Sequence, residues 1–369
     1  MELCIGIAGA GNFARFAAQA FVTQPGIKIA GVMDKDEKAA RELADQLEGI
    51  AYTDYESFLA CKSIHLVYIA TPPFLHYQQS KLALLAGKHV ICEKPAALQS
   101  FQAEELSALA GSLGLLYVVN LIQRYNPLYG IVRTIIVENI LGGFLHGYFE
   151  NYASDENLPA DHWFWEDSKS GGIFIEHGVH FFDMFSGWLG EGKVVSALQL
   201  QRPGVAGNMV DRVQASALFG NGLVNFYHGF NQPKVLDRQE MRLQFEWGEI
   251  TLLGWVPLRM KLHGLLQNGF LRRLQEITGL YSLVHHSQEE EPVQKMEGRF
   301  SRLAIENHIT MEYENVSGKQ EVYQEMLTAM INDQWSWIRD PGHIRKIDDR
   351  NAVQSLKMAQ DAARMAKKY

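Results

Sequence analysis

Leu3-Cys4-Ile5-Gly6-Ile7-Ala8-Gly9-Ala10-Gly11-Asn12-Phe13-Ala14 is the stretch on which the fold turns. Its first six residues are apolar or small and read as a strand buried on both faces. The next six match G-x-G-x-x-A, and Asn12 to Val22 continue as a helix rich in Ala and Phe. A glycine turn between a buried strand and a helix suits a dinucleotide. Gly9 permits the tight turn, Gly11 lets the main chain approach a pyrophosphate, and Ala14 lets helix and strand pack closely. The first turn of the helix, Asn12 and Phe13 included, offers N–H groups and the positive end of the helix dipole to the phosphates. Twenty positions after Ala14, at the end of a second apolar segment (Ile27 to Met33), stands Asp34. An acid there accepts ribose hydroxyls and repels a 2′-phosphate, which favours NAD. Lys35 beside it can pair with a phosphate, which keeps NADP open.

Moving outward, strand and helix patterns alternate. Helices are expected at Asp36 to Leu47, Tyr55 to Cys61, Leu75 to Ala86 and Phe101 to Leu113. Strands are expected at His65 to Ala70, His89 to Cys92 and Leu115 to Val119. Wholly apolar strands separated by helices indicate a doubly wound parallel sheet of the Rossmann type, assigned to residues 1–122. Residues 123–369 read as a second, α+β domain. Pro127 opens a helix to about Val137. Gly142 to Tyr152, Val194 to Gln201, Val213 to Phe219, Leu223 to Phe230 and Met241 to Phe245 look like strands of a large, open, mostly antiparallel sheet. A helix from Ile173 to Trp188 is set into it. Residues 255–318, with the acidic run Glu289-Glu290-Glu291, read as an irregular insertion, and Asn351 to Lys368 as a terminal helix able to pack back on the first domain.

Bulk properties narrow the function. At 369 residues the chain exceeds one ordinary core. A net charge of -8 argues against a nucleic-acid partner. No apolar run is long enough for a bilayer span. Leu3 to Ala8 lacks the basic flank of a signal sequence, so a cytoplasmic protein is expected. Cys4, Cys61 and Cys92 form no C-x-x-C pair and read as reduced packing residues.

Two further segments carry chemistry. Glu93-Lys94-Pro95 follows the strand His89 to Cys92, and the carboxyl ends of parallel strands are where such sheets bind ligands. The second runs from Gly171 to Asp183. Read as a helix, it puts Glu176, His180 and Asp183 on one polar stripe among Ile173, Ile175, Val179, Phe181 and Phe182. A buried titratable stripe either satisfies itself or takes part in chemistry. His177 and His180 with Glu176 and Asp183 have loose spacing and no thiolate nearby, so no metal is expected. Trp163-Phe164-Trp165 precede this helix, and such a cluster is more often core than a sugar platform.

Together these residues resemble the glucose–fructose oxidoreductase / inositol dehydrogenase / MocA family. The resemblance follows the family's order through most of the chain. It runs over the glycine fingerprint, Asp34, Tyr52-Thr53-Asp54-Tyr55, Thr71-Pro72-Pro73 with His76, Gly87-Lys88-His89-Val90, Glu93-Lys94-Pro95, Arg124-Tyr125-Asn126-Pro127 and the Gly-Val-His…Asp helix. It implies an NAD(P)-dependent hydride transfer to or from a sugar, cyclitol or related hydroxy or keto compound. Lys94 then contacts nicotinamide ribose and substrate hydroxyl, and His180 handles the hydroxyl proton. Glu176 stands where the family usually has an aspartate assisting that histidine. Thr71, Pro72, His76 and Glu93 line the cofactor side, and Arg124, Tyr125, Trp163 and His177 the substrate side. Glu176 and Ile122 depart from the family pattern. A silent nicotinamide-binding regulator and an NAD-dependent glycosidase are the alternatives the family offers. The open sheet implies a homo-oligomer, a dimer or tetramer, and the chemistry is expected in a cleft between the domains.

Overall fold

The computed structural model describes residues 2–204, 209–279 and 283–369, with side chains left out for 283–294. In chain order the first part holds β1 (Leu3–Ala8), α1 (Asn12–Val22), β2 (Ile27–Met33), α2 (Glu37–Gln46), β3 (Ile50–Tyr52), α3 (Tyr55–Ala60) and β4 (Leu66–Ile69). It continues with α4 (Pro73–Leu85), β5 (His89–Cys92), α5 (Ser100–Leu113) and β6 (Tyr117–Val119). Then come α6 (Pro127–Val137), β7 (Phe144–Ala153), α7 (Asp167–Ser170), α8 (Val179–Leu189), β8 (Gly192–Gln201), β9 (Val210–Phe219) and β10 (Gly222–Phe230). The chain ends with β11 (Arg238–Phe245), β12 (Gly248–Leu253), β13 (Arg259–Leu266), α9 (Asn268–Thr278), β14 (Leu283–Glu297), β15 (Arg302–Glu314), α10 (Lys319–Arg339), α11 (Asp349–Met365) and β16 (Lys367–Lys368).

Two compact units result, and neither is one continuous stretch of chain. The first comprises Met1–Tyr125, Asp161–Asp183 and Tyr323–Gln360, the second Asn126–Ala160, Met184–Val322 and Asp361–Tyr369. The titratable helix segment and most of α10 and α11 fall in the same unit as the Rossmann sheet.

In the first unit the six strands run in the order β3-β2-β1-β4-β5-β6, every pair parallel. Leu3, Ile5, Ile7 and all of Leu66–Ile69 have no more than 1% of their surface exposed, as expected of a sheet covered on both faces. β3 escaped the sequence reading because three residues carry too little periodicity. Helix α10 is tied to α1 through Tyr323, whose ring meets Phe13 and Phe16 at 5.9 and 5.3 Å. Helix α11 binds α5 through Ser107–Asp349, and Gln360 Oε1 accepts the Ser100 N–H at 3.1 Å.

In the second unit ten strands run β14-β15-β13-β12-β11-β7-β10-β9-β8-β16. The sheet is mostly antiparallel, but β7 and β10 pair in parallel, as do β8 and β16. Residues 255–318 are not an irregular insertion: they contain β13, α9, β14 and β15. β15 alternates strictly, Ile305, Asn307, Ile309, Met311 and Tyr313 facing inward, and its polar outward residues (Glu306, His308, Thr310, Glu312) concealed the strand in the sequence. The run Glu289-Glu290-Glu291 lies on β14, where side chains fall outside the described residues. The terminal helix stops at Met365, short of Lys368. Among the described residues no helix is long and apolar enough to cross a membrane.

Candidate active site

The site is assembled at the carboxyl ends of β1, β2, β4, β5 and β6. Gly9 adopts φ +97°, and a Cβ there would lie 2.7 Å from the Ala70 carbonyl oxygen, so only glycine fits. A Cβ on Gly11 would meet nothing within 4 Å. The space beside Gly11 is what a pyrophosphate approaching the main chain requires. Gly11 is also the N-cap of α1 and provides no side-chain cap, and Gly11 and Asn12 are exposed while Phe13 is half-buried. These features fit a dinucleotide: main-chain donors and a helix N-terminus face open space.

Asp34 follows β2 and is gripped at both oxygens. Its Oδ2 accepts the Ala10 N–H at 2.7 Å and its Oδ1 the Asp36 N–H at 3.0 Å. The acid is thus bound to the glycine turn itself, joining the end of β2 to the turn after β1. Lys35 is exposed beside it.

At the end of β4, Thr71 Oγ1 donates to Gln79 Oε1 at 2.6 Å, and Pro72 caps α4. His76 does not line an open cleft: it is 1% exposed, and both ring nitrogens are engaged by main-chain carbonyls. Glu93 follows β5 and its carboxyl accepts from Tyr68 Oη and, at 2.8 Å, from Asn120 Nδ2. Burial pushes this acid up, against the opposing pull of those two donors.

Lys94 is the centre of the arrangement. Its Nζ donates to the main-chain carbonyl of Glu176 at 2.9 Å and also to the Glu176 carboxylate. Both side chains are largely withdrawn from solvent, 18% and 11% exposed. The segment bearing Glu176 is not the straight α-helix the sequence suggests. Phe174–Gly178 form a π turn that leads into α8. Such turns break the regular side-chain stripe and concentrate at functional sites. Glu176, His180 and Asp183 accordingly do not satisfy one another as a simple network, because both acids take cationic partners. Glu176 takes Lys94, and Asp183 takes Arg124 in a two-pronged bridge, Nε–Oδ2 2.8 Å and Nη2–Oδ1 2.7 Å.

His180 is 3% exposed, and burial, then the charge of Lys94, then His177 hold it well below its ordinary value. His177 is half-buried, and burial followed by Lys94 brings it down to about 3. Burial and the charge of Lys94 thus disfavour a second proton on either ring.

Arg124 and Tyr125, expected on the substrate side, are occupied within the first unit. Arg124 holds Asp183, and Tyr125 Oη donates to Asp333 Oδ2 at 2.6 Å, while the His343 ring binds the other oxygen, Oδ1, at 2.7 Å. Trp163, Phe164 and Trp165 form a half-buried 3-10 turn with no fully buried member, contrary to a core assignment. Ile122 is packed at 1% exposure. Asn120 and Asp333 went unnoticed in the sequence. Asp333 lies on α10, whose buried Val322, Met326, Leu327, Met330 and Ile331 gave a readable helical period. Cys92 is buried, but Cys4 and Cys61 keep partial exposure, and all three are free thiols.

The same order of elements is found in known proteins. Residues 3–121 match the oxidoreductase family with NAD-binding Rossmann fold named for Gfo, Idh and MocA, and residues 132–250 match its C-terminal domain. The chain belongs to the Gfo/Idh/MocA family. Within it, glucose-6-phosphate 3-dehydrogenase of Bacillus subtilis is 28% identical over 184 residues, 49% of this chain and 52% of that one. The dTDP-3,4-didehydro-2,6-dideoxy-alpha-D-glucose 3-reductase of Streptomyces violaceoruber is 28% identical over 223 residues, 59% of this chain and 63% of that one. The chain spans about half the length of the curated relatives it matches first, from 43% to 52%. Among solved structures, the 3-ketoreductase KijD10 from Actinomadura kijaniata, in complex with NADP and TDP-benzene, superposes with a TM-score of 0.75. That alignment covers 100% of this chain and 99% of KijD10 at 16% identity, so it shows a shared fold.

Proposed function

We propose that this Gfo/Idh/MocA protein interconverts a secondary hydroxyl and a ketone at carbon 3 of a sugar ring, using NAD or NADP. The observation that carries the reading is Lys94 seated on Glu176, four residues before the buried His180. Two relatives named for action at position 3 support the choice of carbon.

The bound nicotinamide supplies the hydride acceptor in oxidation and the hydride donor in reduction. In oxidation the C–H bond of the alcohol releases its hydride, the O–H proton passes to His180, and a C=O bond forms. Lys94 Nζ hydrogen-bonds the oxygen as negative charge develops, which is where a positioned cation accelerates most. Glu176 holds Lys94 rather than assisting the histidine directly. The longer side chain at position 176 thus takes a different job from the aspartate usual in the family. Arg124 fixes Asp183 within α8, and Tyr125 fixes Asp333. Both then act by positioning, while His177 and Trp163, each half-buried, remain for substrate contact. Gly9, Gly11, Asn12 and Phe13 serve the pyrophosphate, Asp34 and Lys35 the adenosine ribose, and Thr71, Pro72 and Glu93 the nicotinamide half.

The test is a cofactor-fluorescence titration with NADH and NADPH, then a panel of free, phosphorylated and nucleotide-linked sugars scored for NAD(P)H change. Each active sugar is paired with its 3-deoxy analogue. Turnover of the 3-deoxy analogue at the parent rate would move the reaction to another carbon, and cofactor binding without turnover of any sugar would favour a regulator. We also infer a homo-oligomer through the outward face of the ten-stranded sheet, where Val195 and Leu218 are about two-fifths exposed. Light scattering that returns the mass of one chain at micromolar concentration would defeat it.

A further inference from the structure

We propose that His76 is a positioning residue for Lys94, a clamp that ties the main chain after Lys94 to the turn after β4. The family resemblance implies a place for His76 on the cofactor side, whereas its ring nitrogens meet main-chain carbonyls. The geometry is specific. Nδ1 lies 2.7 Å from the Pro95 carbonyl oxygen and Nε2 2.6 Å from the Thr71 carbonyl oxygen. The ring is 1% exposed, so it has no access to solvent as an alternative partner. Pro95 directly follows Lys94, and Thr71 follows β4 by two residues. One side chain on α4 therefore joins the two loops that flank the carboxyl ends of neighbouring parallel strands, β4 and β5.

The chemistry makes the clamp more than packing. A carbonyl oxygen only accepts, and a neutral imidazole carries one N–H. A neutral His76 satisfies one loop and turns a lone pair toward the other, whereas the doubly protonated ring satisfies both. The groups that face it pull in opposite directions. Burial and Lys94 disfavour the second proton, while the Pro95 and Thr71 carbonyls and Glu176 favour it, with burial the largest influence. The bond to Pro95 or to Thr71 is thus the weak point of the Lys94 segment. Losing it lets the lysine amine move relative to Glu176 and the reacting oxygen. A displacement near 1 Å in a reacting group costs roughly 100-fold in rate.

The inference rests on Lys94 acting on substrate, so the experiment separates the two. His76→Ala and His76→Gln (an amide that restores one donor) are compared with Lys94→Ala. Three readouts are taken: hydrogen exchange of the peptides covering Thr71–Leu75 and Glu93–Leu98, the dissociation constant for NADH, and turnover of the sugar on which the natural protein is fastest. His76→Ala should raise exchange by about 10-fold in the peptide of the loop whose carbonyl the single N–H serves, as one buried hydrogen bond is lost. It should lower kcat by roughly 100-fold with NADH affinity changed by less than about threefold, and His76→Gln should recover part of both effects. Unchanged exchange in the two peptides, or a kcat loss in His76→Ala that glutamine does not lessen, would overturn the clamp. If His76→Ala melts before exchange can be read, the Gln variant alone decides. Exchange unchanged from the natural protein while kcat still falls would also defeat positioning. A Lys94→Ala protein that keeps full turnover would instead defeat the proposed function and leave the exchange result standing.

Discussion

The two sheets differ in how they use their residues. Strands β1 and β4 of the six-stranded sheet are buried along nearly their whole length, so their middles have no side chain left for chemistry. Function is forced to the strand ends, where Gly9, Asp34, Thr71, Glu93 and Asn120 emerge. The ten-stranded sheet alternates instead. In β9 Val213, Ala215, Ala217 and Phe219 face inward and Gln214 and Leu218 outward, which gives a broad face. A parallel sheet concentrates chemistry at one edge; an antiparallel sheet spreads a surface.

That contrast can be broken experimentally. The largest effect is expected at a strand end. Lys94→Ala should reduce kcat by about 10³-fold while NADH binding persists, by analogy with loss of one transition-state donor. A matching change on the outward face of the other sheet, Lys261→Ala, should leave kcat within about twofold and stability within about 0.5 kcal/mol. Similar losses from both would erase the distinction. Next comes alternation itself. Ile309→Ala in β15 removes a fully buried side chain and should cost about 2–5 kcal/mol in a urea titration, whereas Thr310→Ala beside it should fall within about 0.5 kcal/mol. Asp34→Ala should narrow the NADH over NADPH preference by about tenfold, the value of a hydrogen bond to a charged group. An unchanged ratio would remove Asp34 from ribose recognition.

A further effect concerns pH. His180, His177 and His76 all have folded values lowered from 6.5, with burial the main cause. Below 6.5 the unfolded chain takes up protons that the folded chain refuses, so stability falls as pH drops. The contribution is complete above 6.5 and is lost progressively toward the folded values, about 3 for His177. A melting temperature flat between pH 7 and about pH 5 would show that these rings are not buried as described. The same depression leaves His180 neutral, so the acid limb of kcat should lie well below 6.5.

Much of the first unit was legible because its signals are local. Leu3–Ala8, Asn12–Val22, Ile27–Met33 and His89–Cys92 form as the sequence alone indicates, since each is a short run with one period and a glycine or proline boundary. β13 and β15 were not, because a strand with one solvated face reads as polar until its partners are known. The titratable helix showed its residues but not their pairing. Its period suggested Glu176 with His180, and the π turn gave Glu176 to Lys94, a residue 82 positions away.

The sequence by itself determined the glycine turn, the acid after β2, and the presence of Lys94 and His180, because each depends on neighbours within a strand and a turn. The tertiary structure alone decided which acid meets which cation and that the His76 ring meets the carbonyls of Thr71 and Pro95. It also decided that the segment from Asp161 to Asp183 clusters with the parallel sheet rather than with the chain on either side of it. Those outcomes depend on contacts between residues far apart in the chain, and a hydrophobic period carries no information about a partner that distant.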